Sequence, residues 1–155
     1  MVYIPFPVSA TILLFFLTAV SQLARPAKLN EHVKTIPMAG PFENLPRGTN
    51  CSIAGWGCTV PGDNSSVVSR LREVDVEVLD DDKCTSAFYF PMLMLCAGRP
   101  QEGKDAAQGD SGSPLVCKDK VQGVVSKGST SGTLPGTYTS VSFYNDWIKD
   151  TMRRA

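Results

Sequence analysis

Residues 71–79 read LREVDVEVL, in which Val74, Val76 and Val78 alternate with Asp75 and Glu77. A period of two gathers the valines on one face and the carboxylates on the other, as a strand with one wet face requires. The rest of the chain is punctuated to match: thirteen glycines and eleven prolines in a chain 43% apolar suit many turns joining short strands. CSIAGWG, residues 51–57, is strand-like and closed by glycines, and further strands are expected at Met92–Ala97, Pro114–Lys118, Val121–Ser126 and Thr137–Val141. Near the end, SFYNDWIKDTMRR places Phe143, Trp147, Ile148 and Met152 on one helical face. Arg153 and Arg154 then suit the negative end of that helix's dipole. The expectation is an all-β domain of about six strands with a terminal helix.

At 155 residues the chain has room for one modest domain and a targeting segment. Its 15 basic and 15 acidic residues are spread along it, so no basic stripe points to nucleic acid as a partner. Cys51, Cys58, Cys84, Cys96 and Cys117 do not form two close Cys/His pairs, and neither a structural zinc nor any other metal or cofactor is expected. Asp80, Asp81 and Asp82 lack the ligand spacing of a calcium loop and read as acids at the start of a short helix. Asn50-Cys51-Ser52 and Asn64-Ser65-Ser66 would accept glycans in a secretory compartment.

Residues 1–24 carry no charged side chain, and the run ATILLFFLTAV from Ala10 to Val20 is followed by Ser21. This resembles the core and cleavage site of a signal peptide, although no Lys or Arg precedes it and Pro5 and Pro7 interrupt the approach. As an anchor the stretch would just cross a bilayer, with Arg25, Lys28 and Lys34 favouring a cytosolic globular part; a segment without targeting role is the third reading. Residues 1–21 are therefore read as an apolar leader, signal peptide or anchor, and residues 22–50 as a connector. Pro26, Pro37, Pro41 and Pro46 rule out a continuous helix in that connector. Residues 51–155 hold the barrel and the terminal helix.

Six motifs in order, CSIAGWG, LCAG (95–98), KDAAQGDSGSPLVC, GVVS (123–126), PGTYTSVS and DWIK, resemble the chymotrypsin-like serine proteases. The flavour is that of granzymes, mast-cell proteases and complement factor D, and the resemblance runs from about Gln22 to the end. It implies the second, six-stranded antiparallel barrel of that fold with its terminal helix. Ser111 would be the nucleophile, and the backbone N–H groups of Gly109 and Ser111 the oxyanion hole. Asp110 would pair with a new N-terminus released by cleavage of a zymogen. Asp105 would floor the specificity pocket, with Gln108, Ser126, Gly128 and Gly136 also binding substrate. An acidic floor between two pocket-opening glycines implies cleavage after Arg or Lys. Disulfides Cys51–Cys117 and Cys84–Cys96 are implied as well. Ala107 replaces a cysteine that many relatives carry, and Cys58 is left without a partner in what reads as an exposed turn.

The chain also departs from the family's pattern. Lys127 stands where relatives usually carry an aromatic wall. The chain's one histidine, His32, lies in the connector text KLNEHVKTI and reads as a solvated residue rather than a base. Leu17 falls where the triad aspartate would. The reading is a trypsin-like serine endopeptidase truncated of its N-terminal barrel, His and Asp, and inactive as written; the alternative is a secreted, non-catalytic pseudoprotease or binding module. A peptide or protein with Arg or Lys is the expected partner if the other half is supplied. Without it, the chain is expected to self-associate through the uncovered barrel face. Secretion or storage in a secretory granule is favoured over a membrane-tethered form.

Overall fold

The computed structural model describes residues 20, 21, 23–60, 63, 66, 68–85, 88–128 and 135–154. Most of the leader, Gln22 and the Asn64 sequon lie outside the described residues.

Six strands close into an antiparallel barrel: β1 (Asn50–Gly55), β2 (Arg72–Val78), β3 (Met94–Gly98), β4 (Pro114–Cys117), β5 (Lys120–Lys127) and β6 (Gly136–Ser140). Their order around the barrel is β1-β2-β3-β6-β5-β4. The alternation that announced β2 is realised with Val76 and Val78 buried and Val74 packed at the edge of the same core. Opposite it, Cys51 and Ile53 of β1 point inward, in register with Val76 and Val74. Leu115, Val125 and Tyr138 complete this interior, the last fully buried. A two-residue turn joins β4 to β5, and Lys118 and Asp119 both take positive φ there, as such hairpin turns require.

Disulfides join Cys51 of β1 to Cys117 of β4 and Cys84 to Cys96 of β3. The first links directly paired residues of neighbouring strands. Cys58 is not exposed as the sequence suggested: it is buried at 8% because its amide donates to Gln108 O at 2.8 Å, tucking it beneath a loop that sequence distance hides. Asp81–Lys83 forms a 3-10 turn, so the run of acids does sit at a helix start.

A second apolar cluster lies outside the barrel, where Ala39 of the connector meets Val121, Val141 and Ile148. Helix α1 (Asn145–Arg154) buries Ile148 in it, with Tyr144 and Met152 alongside. The inward stripe is thus Tyr144, Ile148, Met152 at four-residue spacing. Trp147 stays 40% exposed, with its ring edge-on to Tyr144. The helix starts at Asn145, after Phe143, and the buried Asn145 amide donates to Ala39 O. The connector is also stitched on by its backbone: Ala39 N–H donates to Val121 O and Val121 N–H to Pro37 O, both at 2.9 Å. Glu43 completes the seam, accepting from Gly40 N–H at 2.9 Å, Lys120 Nζ at 3.0 Å and the buried Gln122 Nε2 at 2.9 Å. Those three donors hold the Glu43 carboxyl down at about 2, from an ordinary 4.5.

Among the described residues no helix is long and apolar enough to cross a membrane, and no group of three or more His, Cys, Asp or Glu is placed to hold a metal.

Candidate active site

Between Arg99 and β4 the chain runs as one compact loop, and Asp110 organises it. Its Oδ1 accepts from Gly57 N–H at 2.7 Å and its Oδ2 from Ala107 N–H at 2.9 Å. The space it occupies exists because residues 55 and 57 are glycines. A Cβ on Gly57 would lie 2.5 Å from the Asp110 carboxyl carbon, and one on Gly55 2.0 Å from Oδ1. The GWG sequence is thus a seat for a carboxylate 53 residues away.

The backbone around Ser111 is tied at three amides. Asp110 N–H donates to Ala107 O at 3.0 Å, Gly112 N–H to Val125 O at 2.9 Å and Ser113 N–H to Asp110 O at 2.9 Å. Gly109 takes φ of 100° and Gly112 of 86°, conformations an L side chain would strain. Among the described residues the amides of Gly109 and Ser111 donate to no partner. Gln108, Gly109 and Ser111 are all exposed. The turn therefore presents a hydroxyl flanked by two uncommitted N–H donors, an arrangement able to receive a carbonyl oxygen that gains negative charge.

Asp105 lies at the base of the loop. Its Oδ1 accepts from Tyr138 Oη at 2.8 Å and from Ala106 N–H at 2.7 Å. Burial pushes the Tyr138 hydroxyl well above the usual phenol range, and the charge of Asp105 adds to the shift, so this phenol stays a donor. Sequence reading missed Tyr138; a tyrosine buried inside a barrel needs a partner for its hydroxyl, and that need was the available signal.

Gly136 faces the same carboxylate, and a Cβ there would lie 2.6 Å from Asp105 Oδ1. On the other side Gly128 rests against the loop so closely that a Cβ would lie 2.2 Å from Ala106 O. The two glycines let backbone and carboxylate touch. Ser126 is partly buried and Lys127 exposed, at the end of β5 where a register shift falls between Val125 and Lys127. Behind the loop a cavity of about 250 Å³ is lined by both carboxylates, Asp105 and Asp110, together with Gly57, Cys58 and Arg72.

His32 is not part of this assembly. Its side chain is 83% exposed and pairs with the adjacent Glu31 at 3.3 Å, and its amide donates to Asn30 Oδ1. Among the described residues the Ser111 hydroxyl makes no hydrogen bond.

Residues 18–148 match the family profile described as Trypsin. The chain is 42% identical to mast cell protease 3 of Ovis aries over 86% of this chain and 53% of that protein. It is 41% identical to duodenase-1 of Bos taurus, again over 86% and 53% of the two chains. It is 38% identical to cathepsin G of Mus musculus, over 86% and 51%. The chain spans about half the length of the curated relatives it matches.

Proposed function

Because the chain belongs to the trypsin family, we propose that it carries the nucleophile half of a serine endopeptidase active site and has no base of its own. The observation that carries the reading is the turn at Ser111, locked by Asp110 with the amides of Gly109 and Ser111 left over. In the proposed reaction a base from outside the described residues removes the Ser111 Oγ proton as Oγ attacks the substrate carbonyl. The carbonyl oxygen becomes an oxyanion facing the two amides, each such donor contributing roughly 3–4 kcal/mol to the transition state. The base then returns the proton to the leaving amine, and water releases the acyl group by the reverse sequence. Without that base a serine hydroxyl is a poor nucleophile at neutral pH, so the chain alone is inactive.

Asp105 is the proposed floor for an Arg or Lys side chain, with Gln108, Ser126, Gly128 and Gly136 lining its approach. Lys127 brings a cation to that approach and lowers affinity for basic side chains. Two disulfides suit an oxidising compartment, which supports secretion or granule storage. A second reading, a non-catalytic binding module, is favoured by the contact of Gly128 with Ala106, which brings the proposed pocket walls together.

The test is the N-terminal sequence and intact mass of the native protein, with cleavage assays on peptides ending in Arg, Lys or Leu. The proposal expects Ser111-dependent cleavage after Arg or Lys only from a species that brings a histidine and an aspartate to Ser111. Cleavage after Leu that survives Asp105→Ser would overturn the specificity. A native species with no such histidine, inert on all three peptides, would favour the binding module.

A further inference from the structure

Among the described residues, four non-glycine residues take positive φ: Lys118 and Asp119 in the β4–β5 hairpin, and Phe42 and Met92. The first two are explained by their turn; the other two are not. Phe42 is the third residue of Gly40-Pro41-Phe42-Glu43, closed by Glu43 N–H to Gly40 O at 3.2 Å. Met92 is the third residue of Phe90-Pro91-Met92-Leu93, closed by Leu93 N–H to Phe90 O at 3.2 Å. Both turns put proline second and a positive φ third, where glycine or asparagine is ordinarily favoured. At φ of 51° and 76° the sequence instead holds a phenyl ring and a thioether, and leaves them 73% and 74% exposed. A large apolar side chain in a strained position and in water serves neither turn nor core.

These two residues, 50 positions apart in sequence, line one cavity of about 570 Å³ between the connector and the barrel. That volume falls in the range of roughly 300–1,000 Å³ usual for small-molecule sites. Its walls present polar and apolar surface in about equal measure, Leu45, Met94 and Phe143 supplying part of the apolar share, and the Phe143 ring lies edge-on to Phe42 at 6.4 Å. Its charged groups are the Glu43 and Asp81 carboxylates and the Arg47 guanidinium, which is already engaged by Asp80. Glu43, for its part, remains ionised through its contacts with Gly40, Lys120 and Gln122.

We propose that this cavity is a binding site for a small aromatic amine, its ring packed against Phe42, Phe143 and Met92 and its ammonium toward Asp81 and Glu43. Edge-to-face ring contacts and a polarisable thioether suit an aromatic guest, and the two carboxylates disfavour an anionic one. The site is separate from Ser111 and does not depend on the reading of that residue.

The test is a titration of the full chain with 2-phenylethylamine, 3-phenylpropionate and butylamine, followed by NMR of the methionine methyls and the Gln122 side-chain amide. Saturable shifts are expected with 2-phenylethylamine, and affinity about fivefold or more weaker for each of the others, which lack the charge or the ring. Phe42→Gly and Met92→Gly together should raise the melting temperature, since glycine suits positive φ, while weakening 2-phenylethylamine about tenfold. Asp81→Asn should narrow the gap between amine and carboxylate. Absent saturation, equal affinity for 3-phenylpropionate, or unchanged binding by the double-glycine variant would each overturn the site. A double-glycine variant that melts below the parent would remove the strain from which the proposal starts.

Discussion

The loop that carries Ser111 and the connector that carries His32 are built in opposite ways. In the loop one carboxylate takes two backbone amides, three further amides are tied, and two glycines at and just beyond the end of β1 make room for it. The connector is stitched to the barrel from Pro37 onward, through Ala39 and Glu43, and His32 upstream bonds its own neighbours. The difference shows where sequence is spent on geometry: a residue that must be aimed is over-determined by distant partners, and one that satisfies itself locally is not aimed at anything.

That contrast can be broken or sharpened at five points. The largest effect is expected from opening Cys51–Cys117, which closes a loop 66 residues long beneath the Ser111 turn. The double alanine variant should lose about 4 kcal/mol in denaturant unfolding. Opening Cys84–Cys96, 12 residues apart, should cost less, about 3 kcal/mol. Next comes Asp110→Ala, which strands the amides of Gly57 and Ala107 and should cost about 3 kcal/mol, with hydrogen exchange accelerating at Gly57 before the barrel strands respond.

Smaller still is the connector seam. The Glu43 carboxyl is depressed in the folded state, so its stabilising contribution is complete above pH 4.5 and is lost as pH falls toward 2. Glu43→Gln should therefore flatten the acid limb of the stability curve in that window and cost about 1 kcal/mol at pH 7. An unchanged acid limb would mean that the seam is not held by this charge. Smallest is His32→Ala, expected to change stability by less than about 0.5 kcal/mol. A larger change would place His32 in contacts its exposure does not suggest.

Much of the barrel was legible because its signals are local. The Val74-Val76-Val78 alternation sits on one strand, and each strand expected downstream formed within two residues of its predicted ends. The role proposed for the loop rests on the resemblance. What sequence could not show is what depends on distance. Cys58 looked exposed because its neighbours are turn residues, yet its amide meets Gln108 from another segment. Trp147 is the larger ring, but Tyr144 takes the partly buried place against the outer cluster because it sits four residues before Ile148 on the face that meets Ala39 and Val121. Gly128 and Gly136 lie where backbone approaches Ala106 and Asp105, a relation only the folded chain reveals.

The measurement that bears most directly on the account is the reaction of the purified chain, disulfides intact, with a fluorophosphonate at neutral pH, read by intact mass beside Ser111→Ala. A built turn without a base predicts no adduct on either protein. A stoichiometric adduct lost in Ser111→Ala would show that a base within this chain reaches the hydroxyl, and would contradict the account.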